Sequence, residues 1–100
     1  MNKVIRDGKV AVLYSPGYGA GWYSWNRDRP ECLFDPNIVA MVEAGQHDQI
    51  EEYCKTADLY AGGAKQLEIE WLPVGTPFKI LENDGHETIE HQYTPDWLVA

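Results

Sequence analysis

The fold is decided by residues 67–90, whose sequence is LEIEWLPVGTPFKILENDGHETIE. Leu67, Ile69 and Trp71 alternate with Glu68, Glu70 and Leu72, and this period of two is typical of a half-buried strand. Residues 73–77 are rich in Pro and Gly and predict a turn. Residues 78–82 and 87–90 then flank an Asn-Asp-Gly turn, which is a strong hairpin signal because Asp and Gly tolerate positive φ. The stretch therefore predicts three strands, the last two paired as a hairpin.

Further strands are predicted on both sides of this stretch. Residues 9–14 are rich in β-branched and aromatic side chains and end before Pro16, which predicts a buried N-terminal strand. Residues 22–25 form a possible second short strand, and residues 97–99 predict a short edge strand at the C-terminal end.

Two helices are predicted between the N-terminal strand and residue 67. Asp35 before Pro36 is a good helix start, with Asp as the N-cap and Pro at the first helical position. An apolar stripe follows, and Gly45 ends the helix in the position that favours glycine. A second helix is predicted over residues 48–57. Together these elements predict an α+β fold in a single domain of residues 1–100. We expect one small, mostly antiparallel sheet of four to five strands with two helices packed on one face.

Composition and charge exclude several classes of protein. The chain has 100 residues, 44% of them apolar, and a net charge of −8, which argues against general binding to DNA or RNA. Residues 1–30 carry five cations and two anions, whereas residues 31–100 carry three cations and fourteen anions. No run is long enough to span a membrane and no signal peptide is evident, so we expect a cytoplasmic protein without a membrane partner. Cys32 and Cys54 are then expected to be free thiols.

The strongest chemical signal is the Gly-aromatic segment, residues 14–29. Its glycines allow backbone N–H groups to turn toward an anion, its aromatic rings can stack on a base, and its arginines can bind a phosphate. The predicted ligand-binding residues are Ser15, Gly17, Tyr18, Gly19, Gly21, Trp22, Tyr23, Trp25, Arg27 and Arg29. The alternative is structural: the glycines form a tight turn, while the aromatic residues fill the core or an oligomer interface.

Familiar catalytic patterns are missing from the sequence. Trp22 stands where a dinucleotide-binding loop needs its third glycine, and no Walker A pattern is present. His86 and His91 point to opposite faces of a strand, so they do not predict a metal site. No nucleophile-elbow pattern surrounds a serine, and the neighbours of Cys32 are expected to raise its pKa. We expect a protein without a cofactor or a metal, and more readily a binding protein than an enzyme.

Three blocks of the sequence, with its ending, resemble a group of small uncharacterised proteins of bacteriophages and prophages. The blocks are residues 12–22 with residues 25–26, residues 33–36, and residues 68–73 running into residues 75–78, and the ending is residues 96–100. The resemblance covers nearly the whole chain and implies a setting, the host bacterial cytoplasm during infection. The group has no established activity or catalytic residues, so it implies no role for any single residue.

These observations lead to two hypotheses about function. The first is a small phage-type accessory protein, expected to be a homo-oligomer, that binds and sequesters a nucleotide-like small anion through the Gly-aromatic segment. Such an anion could be a signal of host defence. The alternative is an acidic protein–protein interaction module that inhibits a host protein.

Overall fold

A computed structural model describes residues 2–17, 21–90 and 98–100. The strands are β1 (Ile5–Arg6), β2 (Lys9–Tyr14), β3 (Glu68–Pro73), β4 (Pro77–Asn83), β5 (His86–Glu90) and β6 (Leu98–Val99). The α-helices are α1 (Pro36–Glu43) and α2 (His47–Ala57). Three short 3-10 turns lie at Tyr23–Trp25, Pro30–Leu33 and Ala64–Gln66. The predicted α+β class is confirmed.

The described strands form two antiparallel sheets of three strands each. The first sheet has the order β1-β2-β3, and the second has the order β5-β4-β6. This differs from the single sheet of four to five strands that the sequence predicts. The N–H of Glu87 on β5 donates to the carbonyl of Ser15, just after β2, at 2.7 Å. The N–H of Ser15 donates to the Glu87 side chain and not to its backbone carbonyl, so the two residues share one backbone hydrogen bond instead of the reciprocal pair of an antiparallel ladder.

The two hairpin turns in the described part of the chain both contain the dipeptide Asp-Gly. The predicted hairpin is confirmed: Asn83 pairs with His86, and the residues between them, Asp84 and Gly85, have positive φ angles of 52° and 83°. Asp7 and Gly8 have φ angles of 52° and 76° and join β1 to β2 in the same way. This first hairpin was not predicted, although its turn carries the same signal.

The predicted helices are confirmed at nearly the expected bounds. The Asp35 carboxylate accepts hydrogen bonds from the N–H of Asn37 at 2.8 Å and of Ile38 at 3.3 Å, so it caps α1 as predicted. Gly45 follows α1 with a φ of +70°. The second helix, α2, begins at His47, one residue before the predicted start. The predicted strand at residues 22–25 is wrong, because this stretch forms the 3-10 turn Tyr23–Trp25.

One cluster of buried side chains joins both sheets and both helices. Residues 10–13 of β2 are fully buried, as the sequence predicts. Phe34 and Phe78 meet edge to face with ring centroids 6.1 Å apart. Cys32 and Cys54 are buried free thiols, as expected. Of the predicted edge strand at residues 97–99, Trp97 lies outside the described residues. Within the described part of the chain, no helix is long and apolar enough to cross a membrane.

Candidate functional site

A buried carboxylate holds the Gly-aromatic segment in place. Glu87 lies on β5 and is fully buried. Its Oε1 accepts the N–H of Ser15 at 2.9 Å. Its Oε2 accepts the N–H of Trp22 at 2.9 Å and both the N–H and the hydroxyl of Ser24, at 3.0 and 2.6 Å. We call Glu87 and these four donors the Glu87 anchor.

The Glu87 anchor is an anion site whose anion belongs to the protein itself. A buried charge is costly unless it is paired or hydrogen-bonded, and within residues 2–17, 21–90 and 98–100 no cation pairs with Glu87. Three backbone N–H groups and one hydroxyl satisfy it instead, through charge-assisted hydrogen bonds. The sequence predicts that N–H groups of this segment turn toward an anion. In the structure, those of Ser15, Trp22 and Ser24 turn toward Glu87.

Trp22 and Asn26 belong to the buried side of the segment. Trp22 is fully buried, and its indole N–H donates to the carbonyl of Cys32 at 2.9 Å. Its ring is therefore not open for stacking on a ligand, contrary to the role that the sequence predicts for it. The Asn26 side chain donates to the carbonyls of Trp22 and Tyr60 and accepts the N–H of Tyr60 at 2.9 Å. Asn26 thus ties the segment to the loop after α2.

Trp25 and Tyr60 form an exposed aromatic pair, a name we keep for these two residues. Their side chains are 61% and 56% exposed, and their ring centroids lie 5.3 Å apart with the planes inclined by 41°. Glycine makes this arrangement possible on both backbones. A Cβ on Gly21, whose φ is +134°, would lie 3.0 Å from the Trp25 indole nitrogen, and one on Gly62 would lie 2.5 Å from the Tyr60 ring. Two large exposed rings in contact form an apolar patch on the surface. Such patches often mark interaction sites.

The two arginines of the segment have different surroundings. The Arg27 guanidinium lies 5.9 Å from the centroid of the Tyr23 ring and has no ion-pair partner among the described residues. Arg29 donates to the carbonyls of Ala57 and Asp58 and to the Asp58 carboxylate, all at 3.3 Å. Arg29 therefore caps the C-terminal end of α2, where a cation is favoured, and is already engaged.

The remaining predicted site residues lie around the start of the segment. Ser15 is fully buried, and its hydroxyl has no hydrogen-bond partner among the described residues. The Gln66 side chain lies directly over Gly17, so a Cβ there would collide with it. Tyr18 and Gly19 lie outside the described residues. The predicted site is therefore divided: Ser15, Trp22 and Arg29 serve the fold, whereas Trp25 and Arg27 face outward.

A second surface feature lies beside the start of the segment. A groove of about 520 Å³ opens between α2 and β3. Its lining residues are Tyr14, Val42, His47, Lys65, Gln66, Leu67, Glu68 and Ile69. The His47 ring nitrogen Nε2 donates to the carbonyl of Leu67 at 3.0 Å. Burial, together with Glu68 and Glu70, raises the pKa of Tyr14, so its hydroxyl keeps its proton as a hydrogen-bond donor.

Burial determines the chemistry of the two cysteines. Burial raises the pKa of the Cys32 thiol, as predicted, with Glu87 and Glu31 acting in the same direction. Burial likewise raises the pKa of Cys54, to about 11. Both thiols are thereby kept in the unreactive protonated form. The described residues contain no group of three His, Cys, Asp or Glu side chains that could hold a metal ion. His86 lies with Nδ1 2.7 Å from the carbonyl of Pro16, and His91 is outside the described residues.

Sequence reasoning missed three residues of this site: Glu87, Asn26 and Tyr60. For Glu87 the signal was incomplete, because the register of the predicted hairpin puts it on the same face as Ile80 and Ile89 but puts the exposed Glu82 on that face as well. A glutamate on the apolar face of a hairpin calls for buried donors. Asn26 and Tyr60 are 34 residues apart and gave no such signal.

Comparison of the chain with protein-family models, curated proteins and solved structures finds no match. The resemblance to phage and prophage proteins therefore stays a prediction, and the function has to be argued from the site alone.

Proposed function

We propose that this protein is a small binding module that takes a nucleotide-like small anion on the exposed aromatic pair. The observation that carries the proposal is the contact between two largely exposed rings, Trp25 and Tyr60, at 5.3 Å. Every nucleobase has a flat face, and aromatic side chains are the usual platform on which such a face stacks. The pair offers this platform without any rearrangement of the core.

Arg27 supplies the positive charge for the anionic part of the ligand. It is exposed and lies two residues from Trp25, within about 7 Å along the backbone. A guanidinium can bind a phosphate with two parallel hydrogen bonds. We assign no such role to Arg29, because its donors already bind the end of α2. The proposal therefore narrows the predicted ligand contacts to Trp25 and Arg27 and adds Tyr60.

The buried side of the segment supports this role by holding the platform in place. Asn26 binds the backbone of Tyr60 on one side, and Glu87 binds the backbone of Trp22 and Ser24 on the other. A surface that is already ordered loses little conformational entropy on binding, which improves affinity. The acidic remainder of the chain disfavours long polyanions, so a mononucleotide or small dinucleotide fits better than a nucleic acid.

The resemblance to phage proteins implies a biological role for this binding, namely the sequestration of a nucleotide signal of host defence. The alternative, an acidic module that inhibits a host protein, would use the same exposed rings as interface residues. Aromatic rings are common at the centre of protein interfaces, and the net charge of −8 would favour a basic partner.

Calorimetric titration with mononucleotides, cyclic dinucleotides and ADP-ribose tests the proposal. We expect Trp25→Ala and Tyr60→Ala each to weaken binding about 5- to 150-fold, because stacking contributes about 1–3 kcal/mol per base. Arg27→Ala should weaken binding and reduce its salt dependence. The control is Arg6→Ala, which removes another exposed arginine that lies over an aromatic ring, that of Trp71, together with its ion pair to Glu43.

Two results would overturn the proposal. One is an absence of binding to the whole panel, together with capture of a basic protein that Trp25→Ala abolishes; this result would support the interaction module. The other is a nucleotide whose affinity falls in Lys65→Ala and not in Trp25→Ala. That result would move the ligand to the groove beside α2.

A further inference from the structure

We propose that Glu87 is the positioning residue of the exposed aromatic pair. Its carboxylate occupies the anion site of the Gly-aromatic segment and thereby fixes the turn that carries Trp25. The consequence for affinity rests on the proposed function, whereas the arrangement of the two rings can be measured without any ligand.

The carboxylate joins two parts of the segment that are separated in sequence. Oε1 binds the N–H of Ser15, before the glycines, and Oε2 binds the N–H groups of Trp22 and Ser24, after them. If the two parts moved apart, buried N–H groups would lose their acceptor, which is costly. One planar group therefore sets the distance between the end of β2 and the turn Tyr23–Trp25.

The connection from Glu87 to Trp25 runs through short local bonds. The N–H of Trp25 donates to the carbonyl of Trp22 at 3.2 Å, and the N–H of Asn26 donates to the carbonyl of Tyr23 at 3.0 Å, which closes the turn. Because Trp22 and Ser24 bind the same oxygen of Glu87, the turn cannot rotate without breaking one of these bonds. Asn26 holds Tyr60 from the other side, so Glu87 determines where one ring lies relative to the other.

The anchor needs a carboxylate and not merely a polar side chain. An ionised carboxylate only accepts hydrogen bonds, whereas the amide of glutamine has one accepting oxygen and one donating NH₂ group. In Glu87→Gln the NH₂ group would face either the N–H of Ser15 or the donors of Trp22 and Ser24. In both orientations one part of the segment is released from the anchor.

The test compares Glu87→Gln and Ser24→Ala with Glu82→Gln, the same substitution at the residue opposite Glu87 in register. The full chain is labelled with 5-fluorotryptophan, and the Trp25 resonance is identified by its loss in Trp25→Phe. We expect the Trp25 resonance to move and the ring-to-ring NOE between Trp25 and Tyr60 to weaken in Glu87→Gln. Ser24→Ala, which removes only the 2.6 Å hydroxyl donor, should give the same changes to a smaller extent. Glu82→Gln should give neither.

Affinity for the nucleotide that the wild type binds is expected to fall at least about fivefold in Glu87→Gln, as it would if the stacked ring were lost. If Glu87→Gln does not fold, Ser24→Ala decides the matter by the same resonance and NOE. A folded variant with both signals unchanged would overturn the proposal. If the signals change but the wild type binds no nucleotide, the positioning role stands and the proposed function fails.

Discussion

The buried and the exposed side of the Gly-aromatic segment differ in their contacts and in their exposure to solvent. On the buried side, the Trp22 ring has no exposed surface and its indole N–H has a partner. Three residues later, Trp25 is 61% exposed and lies against Tyr60. One short turn therefore presents one tryptophan to the core and one to solvent. Aromatic content alone therefore does not identify a ligand platform, since Trp22 packs in the core and Trp25 is exposed.

The largest loss of stability is expected when the Glu87 carboxylate is removed from the buried side. Glu87→Ala leaves four donors without their acceptor, each at a cost of about 1–3 kcal/mol. We expect a loss of about 4 kcal/mol or more from a total stability of about 5–15 kcal/mol, measured by urea unfolding. Glu82→Ala, at the exposed position opposite, releases a single donor, the Gly85 N–H at 3.0 Å, and should cost about 1–3 kcal/mol.

Added formate provides a second test of the Glu87 anchor. A small carboxylate can enter the space left by the side chain and accept the same hydrogen bonds, so it should raise the urea midpoint of Glu87→Ala and leave the wild type unchanged. Equal stability of Glu87→Ala and Glu82→Ala would show that the buried anchor does not hold the segment.

The second prediction compares the two tryptophans directly. Trp22→Phe creates a small cavity and removes the donor to the Cys32 carbonyl, so we expect a loss of about 2–4 kcal/mol. Trp25→Phe should change the free energy of unfolding by no more than about 0.5 kcal/mol, because the ring is largely exposed. Thermal and urea unfolding monitored by circular dichroism measure both. Similar losses in the two variants would contradict the division of the segment into a buried and an exposed side.

Much of the fold was predictable because local chemistry decides it. The helix start at Asp35, the glycine after α1 and the Asp84-Gly85 turn were all predicted from residue type and are confirmed. The division into two sheets was not predicted. It depends on how Ser15 and Glu87, 72 residues apart, meet: the Ser15 N–H binds the Glu87 side chain and therefore does not continue a ladder between β2 and β5. Strand periodicity carries no information about which edges meet.

The site was predictable in its location and not in its internal arrangement. The residue types of the segment predict that it can bind an anion and stack on a base. The same residue types, however, occur both in a buried core and on an exposed surface. The assignment of Trp22 to the core required knowledge of what surrounds it, namely the Pro30–Leu33 turn and Glu87. Tyr60 joins Trp25 only because Asn26 brings the two chain segments together.

The third prediction concerns the two buried thiols and their response to pH. Burial first, and then Asp35 and Glu51, raise the pKa of Cys54 from about 9 to about 11. Between these values the unfolded chain releases the proton and the folded chain keeps it. Stability is therefore complete below pH 9 and falls as the pH rises toward 11. Cys32 acts in the same direction.

Urea midpoints measured from pH 8 to pH 10.5 check this dependence. We expect the decline to be less steep in Cys32→Ala/Cys54→Ala, because this variant has no thiol proton to release. Raised tyrosine pKa values, including that of Tyr14, leave a remaining slope above pH 10. An identical decline in both proteins would show that the thiols do not contribute.

The fourth prediction concerns Ser15, where the buried side contains a hydroxyl that the anchor does not use. The backbone N–H of Ser15 binds Glu87, but its hydroxyl is buried without a partner among the described residues. Burial of an unsatisfied hydroxyl is unfavourable, so Ser15→Ala should raise the free energy of unfolding by about 1 kcal/mol while the backbone bond to Glu87 stays intact. Ser24→Ala is the matched comparison, because its hydroxyl binds Glu87 at 2.6 Å and its loss should be destabilising. If the free energy of unfolding rises in Ser15→Ala and falls in Ser24→Ala, the Glu87 anchor, and not the polarity of the segment, stabilises the segment. A loss of stability in Ser15→Ala would show that its hydroxyl has a partner in solution.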